Sequence, residues 1–540
     1  MKLILTPEQM RSIDEYAIKK LHIPSLRLME NAGNAVADEI VKRINPSTRS
    51  SKKYLNSRYK DGVQVLRVTK VLFFCGKGNN GGDGFVVARL LLEQRMNVTV
   101  VLIERESELS GDALKNFQRL QNSKIPKLHI LGYNKFQKLN NKEFDVIVDA
   151  MLGTSFRGEL KGNYLKIVEW CKKQSALKVA VDIPTGMNGE TGEVLTNAFH
   201  TDVTVTMSNP KIGFYKKRAK EFIGEVVVAD IGISKKAIID FLSSSTERIF
   251  LVEESDVRKT FPQRASNSHK HSVGKIFAIA GSKGMMGAAL LCSQSAMRSG
   301  AGQVILGIPD SEYLTIAKRT LEVMPLGLPS TSKGSISLEA MEEIEKRIAW
   351  ANVLLLGCGL SGNDETQQLV RLLIQKTNKP VVIDADGLNA LVGNLTLLKD
   401  RRSKNVVVTP HRGEFSRLIG FPSQEIEQNK FSLAANFAKE YNLILVLKGA
   451  PTITAIPSGE IFVNSTGNPG MSTAGTGDVL TGIIASLLGQ GNSVAEAAIN
   501  GVFVHGRAGD ITAGKLGMHG MIASDMIKNL PNAITSIIGQ

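Results

Sequence analysis

Residues 71–84 read VLFFCGKGNNGGDG and decide the fold of the first half of this 540-residue chain. The apolar run Val71–Cys75 predicts a buried strand, and the glycine-rich turn after it leads into a helix predicted over Phe85–Arg95. The turn opens with the spacing G-x-G-x-x-G, which is typical of dinucleotide binding when a strand precedes it and a helix follows. This stretch therefore predicts an α/β fold with a phosphate-binding turn.

Short apolar runs alternate with helical stretches along the whole chain, which predicts parallel sheets covered by helices on both faces. In the first half, strands are predicted at 71–75, 98–103, 146–148, 179–181, 203–206 and 226–228. In the second half, strands are predicted at 276–280, 304–308, 353–356, 381–383, 406–409 and 443–447, followed by a hairpin over 452–463.

A polar, serine-rich stretch over 232–260 interrupts this alternation. We therefore predict two domains, a Rossmann-like doubly wound sheet over residues 1–233 and a second α/β domain over residues 234–540. Further helices are predicted at 6–18, 26–44, 478–488 and 494–510, and Thr6 with Gln9 predicts a capping box at the first of them. The basic segment 45–70 is interpreted as an insertion or loop.

The composition is that of a soluble globular protein, and its basic balance can reflect nucleic acid, an acidic membrane, a small anionic ligand or solubility alone. The net charge is +15, but the basic stretches 52–70 and 211–220 lack the interleaved aromatic residues of a nucleic-acid-binding surface, so no nucleic-acid partner is predicted. No segment is long and apolar enough for a membrane span. The four cysteines are far apart, which indicates neither a zinc site nor a disulfide framework and fits the cytoplasm.

Three loops are predicted at one edge of the first sheet: residues 76–84, residues 149–159 and residues 182–186. Backbone N–H groups at a helix start suit a phosphate, and the amide oxygen of Asn80 suits a cation or a carboxamide. Glu104 ends the next strand, where an acid that binds ribose would lie. Asp149 and Asp182 follow apolar strands, and each could instead be a helix cap, but three loops at one edge favour a ligand site.

In the second half, residues 464–478 read NSTGNPGMSTAGTGD and precede a long apolar helix. The amides of Gly475–Asp478 would face an anion with the helix dipole behind them. Asp478 is the natural base for a hydroxyl group that attacks phosphorus, although an N-cap is the simpler alternative. Glycine-rich or polar loops also follow other strands, at 281–288, 357–360, 384–387, 409–414 and 448–452.

The first-half motifs resemble those of the NAD(P)H-hydrate epimerases: LMENAG at 28–33, NNGGDG at 79–84, DAMLGT at 149–154 and VDIPTG at 181–186. The resemblance implies a potassium ion held by Asn80, Asp149 and Thr185. It also implies that the hydrated cofactor contacts Asn79, Asn80, Gly81, Gly82, Asp83, Gly153, Thr154, Ser155, Phe156, Arg157, Gly158, Glu159, Tyr164 and Asp182. The segment 52–70 is not part of the family pattern.

The second half resembles the ribokinase-like superfamily and, within it, the ADP- or ATP-dependent NAD(P)H-hydrate dehydratases. The stretches NSTGNPGM at 464–471 and TPHRGE at 409–414 distinguish it from sugar and vitamin kinases. The resemblance implies that the hydrated cofactor contacts Ala288, Gly359, His411 and Asp478. It implies that the nucleotide, with magnesium, contacts Lys448, Gly449, Ala450, Pro451, Thr452 and Gly477. Cys358 and Pro451 depart from the family pattern but keep the loops short.

These resemblances imply repair of hydrated NADH and NADPH. Asp182 is expected to act as general acid/base while the hydroxyl at C6 leaves and returns, or while the ring opens and closes. Asp478 is expected to promote phosphorylation of that hydroxyl by ADP or ATP, after which phosphate is expelled. A homo-oligomer is expected. Three alternatives stay open: a small-molecule kinase fused to a dinucleotide-binding regulator, a non-enzymatic cofactor sensor, and a dehydrogenase.

Overall fold

The structure is a computed structural model that describes residues 1–44, 59–60, 63–64, 68–123, 125–140, 142–216, 218–242, 248–270 and 273–539. Contacts divide the chain into two compact units, Leu3–Ser245 and Thr246–Gln540, and Met1–Lys2 belongs to the second. The helix Lys235–Phe241 lies in the first unit, where the Phe241 ring is 5.3 Å from that of Tyr16. The domain boundary predicted from the sequence, at residue 233, therefore lies before a helix that belongs to the first unit. The predicted insertion at 45–70 lies mostly outside the described residues.

Strands and α-helices are numbered in chain order. The strands before residue 246 are β1 (Lys2–Ile4), β2 (Tyr59–Lys60), β3 (Val63–Gln64), β4 (Lys70–Cys75), β5 (Asn97–Leu102), β6 (Leu128–Gly132), β7 (Val146–Ala150), β8 (Leu177–Val181), β9 (Val203–Met207) and β10 (Glu225–Ala229). The helices are α1 (Pro7–Lys19), α2 (Ser25–Ile44), α3 (Asn79–Glu93), α4 (Gly111–Gln121), α5 (Gly162–Lys172), α6 (Lys220–Ile223) and α7 (Lys235–Phe241).

The first unit is built on a parallel seven-stranded sheet in the order β10-β9-β8-β7-β4-β5-β6. The chain runs from β4 outward to β6, returns to β7 beside β4, and continues to β10. The order therefore reverses between β4 and β7. The carboxyl ends of strands at such a reversal form the crevice in which open α/β sheets bind ligands.

The strands after residue 246 are β11 (Ile249–Val252), β12 (Lys275–Ile279), β13 (Gln303–Pro309), β14 (Met324–Leu328), β15 (Val353–Leu356), β16 (Val381–Ile383), β17 (Val406–Val408), β18 (Ile444–Leu447), β19 (Ile453–Ala455) and β20 (Ile461–Asn464). The helices are α8 (Glu254–Thr260), α9 (Met286–Arg298), α10 (Tyr313–Ala317), α11 (Met341–Trp350), α12 (Asp364–Lys376), α13 (Asp386–Asn389), α14 (Leu397–Asp400), α15 (Arg412–Ile419), α16 (Ser423–Glu440), α17 (Thr476–Gly489), α18 (Val494–Leu516) and α19 (Ala523–Ile538).

The sheet of the second unit follows the order β11-β20-β19-β18-β17-β16-β15-β12-β13-β14. Strands β12 to β18 pair in parallel, whereas β19 is antiparallel to β18 and to β20. This sheet also reverses its strand order, between β12 and β15. Helices α9 and α17 pack on it through residues such as Ala289, Cys292, Val479 and Ile483, which are fully buried.

The doubly wound sheets confirm the predicted α/β fold class, and most predicted elements are present. The capping box at α1 is confirmed, because Gln9 N donates to Thr6 Oγ1 at 3.1 Å and Thr6 N donates to Gln9 Oε1 at 2.9 Å. The predicted start of α3 at Phe85 is wrong, since the helix already begins at Asn79. Asp149 lies inside β7 rather than beyond its end.

The strands missed by sequence reasoning lie towards the edges of the sheets. β6 is mostly half-exposed, and β14 reads MPLGL, in which proline and glycine oppose a strand assignment. Within the described ranges, no helix combines the length and apolar character that a membrane crossing requires.

Candidate active sites

At the ligand edge of the first sheet, the turn after β4 lies directly against the loop after β7. A Cβ on Gly76 would lie 2.1 Å from the carbonyl oxygen of Met151, and a Cβ on Gly81 would lie 1.8 Å from the carbonyl oxygen of Gly76. Backbone thus fills the space of both side chains, so only glycine fits. Asn79–Asp83 form the first turn of α3 behind its N-cap, Gly78, where free N–H groups suit a phosphate.

The three residues assigned to potassium by the resemblance meet beneath this turn. Asp149 is fully buried; its carboxylate accepts from Thr185 N at 2.7 Å, Thr185 Oγ1 at 2.8 Å and Met151 N at 3.2 Å. Asn80 donates from Nδ2 to the carbonyl of Leu152 at 3.1 Å, and its buried Oδ1 has no partner among the described residues. Burial raises the pKa of Asp149 to about 6, although the hydrogen bonds from Thr185 and Met151 act to lower it.

Asp182 follows β8 and forms an ion pair with the buried ammonium of Lys211. The same carboxylate oxygen accepts from Met207 N at 3.0 Å and from Thr206 Oγ1 at 3.2 Å. Lys211 is only 1% exposed, and its ammonium also donates to Thr206 Oγ1 at 2.8 Å and to the Met207 carbonyl at 3.2 Å. Asp182 itself has a left-handed backbone with φ +65°. These contacts fix the orientation of the Asp182 carboxylate.

Two further carboxylates lie close enough to Asp182 to interact with it electrostatically. Burial raises the pKa of Asp83 well above its usual value, and the charges of Asp182 and Asp14 raise it further. Burial also raises the pKa of Asp14 to about 6, which Lys211 opposes and Asp182 reinforces. The site therefore brings together three acidic side chains and one buried lysine, and burial favours the protonated form of Asp83.

Sequence reasoning missed Asp14 and Lys211. The amphipathic pattern of α1 could have indicated Asp14, because Met10, Ile13 and Ala17 mark the buried face on which it lies. Lys211 gave no such signal, because it begins the basic stretch 211–220 and is interpreted by default as a surface charge.

The other residues assigned to the first site lie around the same edge. Residues 153–159 form the loop after β7, in which Arg157 donates to the carbonyls of Thr154 at 2.9 Å and Phe156 at 2.8 Å. Tyr164 is in the first turn of α5, and its hydroxyl donates to Glu104 Oε1. The interaction joins Tyr164 to the acid at the end of β5.

In the second unit, the glycine-rich run ends at the N-terminus of α17. Gly475, the N-cap, has a left-handed backbone with φ +87°. A Cβ on Gly477 would lie 3.2 Å from Lys448 Nζ, so the lysine approaches the first turn of the helix where a side chain is missing. His505, buried on α18, lies with Nε2 2.8 Å from the carbonyl oxygen of Thr476, and burial lowers its pKa to about 4. The neutral ring of His505 therefore contacts and supports the first turn of α17. Sequence reasoning missed this histidine.

Lys448 follows β18, and its side chain contacts Asp384, which follows β16, and Glu414 in α15. Its ammonium donates to Asp384 Oδ1 at 2.7 Å and lies 3.8 Å from Glu414 Oε2. Asp384 Oδ2 accepts from Thr481 Oγ1 at 2.6 Å. Burial alone would lower the pKa of Lys448. The charges of Asp384 and Glu414 outweigh that effect and raise the pKa above its usual value. A permanent cation therefore stands beside the amide groups of Gly477 and its neighbours.

Asp478 lies half-buried in the first turn of α17, beside this cation. Burial raises its pKa to about 6, and the charge of Asp384 adds to the rise, whereas the Cys358 thiol and Lys448 lower it. The ligand atoms of Cys358, Asp384 and Asp478 lie within 4.8 Å of one another. The arrangement places a carboxylate and a lysine ammonium together at the start of a helix, where free N–H groups suit an anion.

The remaining residues assigned to the second site fall at the same sheet edge. A Cβ on Gly359 would lie 3.1 Å from Ala288 Cβ, so those two residues are neighbours. His411 is the N-cap of α15: its Nδ1 accepts from Gly413 N at 3.0 Å, and its side chain is 55% exposed. Residues 449–451 line a small pocket together with Lys448 and Arg412. The structural role of His411 leaves its predicted contact with the cofactor a prediction.

Known proteins resemble this chain over both units. Residues 25–213 match the family described as YjeF-related protein N-terminus, and residues 276–532 match the family described as NAD(P)H-hydrate dehydratase. The bifunctional NAD(P)H-hydrate repair enzyme Nnr of Moorella thermoacetica is 36% identical over 99% of this chain and 97% of its own length. That of Thermofilum pendens is 34% identical over 98% of this chain and 95% of its own length.

Among solved structures, the ADP/ATP-dependent NAD(P)H-hydrate dehydratase of Bacillus subtilis, co-crystallised with ATP and Mg²⁺, is 29% identical. It covers 53% of this chain and 97% of its own, with a TM-score of 0.45. The two family matches and the full-length relatives lead to one conclusion. The chain belongs to the bifunctional NAD(P)H-hydrate repair enzymes.

Proposed function

We propose that epimerisation and dehydration take place at the two sheet edges separately, with Asp182 as the catalytic carboxylate of the first reaction and Asp478 as that of the second. The observation that carries the proposal is that each carboxylate lies at the ligand edge of its own sheet beside a lysine. Asp182 forms an ion pair with the buried Lys211, whereas Asp478 lies in the first turn of α17, where the charge of Lys448 acts on it. Incubation with hydrated NADH and each nucleotide in turn, followed by the return of NADH absorbance, tests the overall reaction.

The carboxylates around Asp182 can provide both proton transfers of the epimerisation. The hydroxyl on C6 must leave from one face of the reduced ring and return to the other. Asp83, whose pKa burial raises well above its usual value, can donate to the departing hydroxyl. Asp182, paired with Lys211, can accept a proton from the water that adds to the opposite face.

Potassium fits the donors of Asn80, Asp149 and Thr185. All are oxygen donors, which hard cations prefer, and the buried Oδ1 of Asn80 has no hydrogen-bond partner among the described residues, so a cation could supply one. When bound, the ion would neutralise Asp149 and hold the turns after β4 and β7 together. It would also attract the phosphate groups of the cofactor to the start of α3.

We expect epimerisation to be faster in potassium chloride than in lithium chloride at equal ionic strength, because lithium is too small for a site formed by the backbone-fixed loops. Potassium should also raise the melting temperature of the first unit, since a bound ligand stabilises the folded state. Asn80→Ala should remove both effects of potassium. Equal rates and equal melting temperatures of the wild-type protein in the two salts would contradict the proposal.

Dehydration at the second site can proceed through a phosphate ester. Asp478 takes the proton of the C6 hydroxyl as its oxygen attacks the terminal phosphorus of ADP or ATP, and the bond to the bridging oxygen breaks. Lys448 and the amide groups of the α17 N-terminus stabilise the charge on the phosphoryl oxygens. The ester then expels phosphate, and loss of a ring proton restores the double bond of NAD(P)H.

Magnesium is assigned to the nucleotide phosphates rather than to a protein cage. Both oxygens of Asp384 already accept hydrogen bonds, from Lys448 and Thr481, and Glu414 Oε2 accepts from His411 N at 2.8 Å. Magnesium commonly retains water and phosphate ligands with few from the protein. When bound there, it would neutralise phosphate charge. The homo-oligomer and the cytoplasmic location stay predictions.

The dehydration rate should fall as the pH falls through about 6, because the base Asp478 must be ionised and burial raises its pKa to about 6. Measuring kcat/KM for the hydrated cofactor between pH 5 and 8 in roughly half-unit steps checks this. Cys358→Ala removes a donor that favours the ionised form, so its midpoint should move to higher pH. A profile whose midpoint stays near pH 4, the ordinary range of aspartate, would contradict the assignment.

A further inference from the structure

Helix α18 contacts the segment 464–471, which follows β20, through two glycines. A Cβ on Gly506 would lie 2.2 Å from Thr466 Oγ1, and a Cβ on Gly509 would lie 2.4 Å from Met471 Sδ. Glycine is among the least favourable residues inside a helix. Here the missing side chains let the segment lie close to the backbone of α18.

Asp510, the next residue of the same helix, bonds directly to this segment. Its Oδ2 accepts from Gly467 N at 3.0 Å, and its Oδ1 accepts from Asn468 Nδ2 at 2.9 Å. Asn468 is the N-cap of the 3₁₀ turn Pro469–Met471, and its own Oδ1 accepts from Gly470 N at 3.0 Å. Aspartate disfavours a helix interior, so local structure does not explain it here. Both oxygens of Asp510 hold the segment.

The hydrogen bonds continue from the segment to the start of α17 and return to α18. Thr476 Oγ1 donates to the carbonyl oxygen of Met471 at 3.1 Å. The carbonyl oxygen of Thr476 lies 2.8 Å from His505 Nε2. Because His505 and Asp510 belong to one helix, a single rigid element holds both the segment and the turn that carries Asp478.

The segment also meets the loop assigned to the nucleotide. Asn464 ends β20, and its backbone N donates to the carbonyl oxygen of Thr452 at 3.0 Å. The segment therefore connects the loop 448–452 with the start of α17, and the terminal phosphoryl group lies between these two elements in the dehydration proposed above. Phosphoryl transfer depends on alignment, and a misplacement of about 1 Å can cost roughly 10²-fold in rate.

We propose that Asp510 is a positioning residue for phosphoryl transfer, which keeps Asp478 aligned with a phosphoryl group held at the loop 448–452. The proposal rests on the function proposed above for the second unit. Asp510 acts through the segment, since its two oxygens are engaged by Gly467 and Asn468. Its loss should therefore lower kcat for dehydration and leave nucleotide binding nearly unchanged.

The test exchanges the side chains of the Asp510–Asn468 pair. Asp510→Asn keeps the shape of the side chain but has one acceptor oxygen, so one of its two donors is left facing an amide group. We expect kcat for nucleotide-dependent dehydration of the S epimer to fall by roughly 10- to 100-fold. The Kd of ADP, measured by calorimetry on the full chain, should stay near the wild-type value. Asn468→Asp places two carboxylates together and should lower kcat as well.

The double variant Asp510→Asn with Asn468→Asp restores the pair with donor and acceptor reversed. The new asparagine can accept from Gly467 N and donate to the new aspartate, which can still accept from Gly470 N. The kcat should therefore recover to near the wild-type value. Asp400→Asn removes an exposed acid at the end of α14, in the same unit, and should change neither kcat nor the Kd of ADP.

An unchanged kcat in folded Asp510→Asn protein would overturn the proposal, as would a double variant no faster than the slower single variant. A Kd of ADP that rises as much as kcat falls would also overturn it, because Asp510 would then serve binding rather than alignment. If Asp510→Asn does not fold, the other two variants decide, since Asn468→Asp must be slow and the double variant fast. Failure of the underlying function looks different: Asp478→Asn would then dehydrate the S epimer normally, whatever the pair variants show.

Discussion

Asp478→Asn is expected to slow nucleotide-dependent dehydration of the S epimer by roughly 10²–10⁴-fold, because the amide cannot take the proton of the attacking hydroxyl. Conversion of R to S should continue at the wild-type rate, since Asp182 and Asp478 belong to different compact units. The two rates are measured on one preparation, dehydration by NADH absorbance and epimerisation by chromatography without nucleotide.

A matched control for that variant is Asp364→Asn, which removes an exposed acid from the first turn of α12. It changes the charge at a helix start by the same amount but leaves the second site intact, so both rates should stay near wild type. If Asp478→Asn lost epimerisation as well, in a folded protein, two independent sites would be excluded and one shared site would have to replace them.

Asp182→Asn is expected to do the reverse: the S epimer is still dehydrated, and the R epimer is consumed only as fast as it epimerises spontaneously. The catalysed rate should fall by roughly 10²–10⁴-fold. The substitution also leaves the ammonium of Lys211, which is only 1% exposed, without its counter-ion. Loss of one partner of a buried ion pair typically costs about 3–5 kcal/mol, so the first unit should melt at lower temperature.

The double variant Asp182→Asn with Lys211→Met separates these two effects. It removes both charges, so most of the lost stability should return while the epimerase activity stays absent. Recovery of activity along with stability would mean that Asp182 acts only as the structural partner of Lys211.

Both carboxylates proposed as catalytic could be singled out from the sequence because each follows a local rule. Asp182 comes directly after a buried strand, and Asp478 stands where a glycine-rich run becomes a helix. Family membership confirms the predicted repair chemistry, and a kinase fused to a regulator is no longer needed to explain the second unit. The assignments of individual contact residues stay predictions.

The environment of those carboxylates could not be predicted in the same way. Lys211 and Asp14 belong to elements that are separated from Asp182 in sequence, so their proximity to it depends on tertiary packing. Nothing in the sequence distinguishes a buried lysine from an exposed one. The start of α3 was placed too late because glycine and asparagine disfavour helices, whereas here the close approach of Gly76, Gly81 and Met151 requires glycines in its first turn.

The left-handed backbone of Asp182 limits how this position can change during evolution. At φ +65°, aspartate and asparagine are tolerated far better than longer side chains, because their short polar groups can bond locally. Glutamate would keep the acid but lose the conformation, and asparagine would keep the conformation but lose the acid. The usual conservative exchange between the two acidic residues is therefore disfavoured, and aspartate is the acidic residue that keeps both the backbone conformation and the charge at this point of the fold.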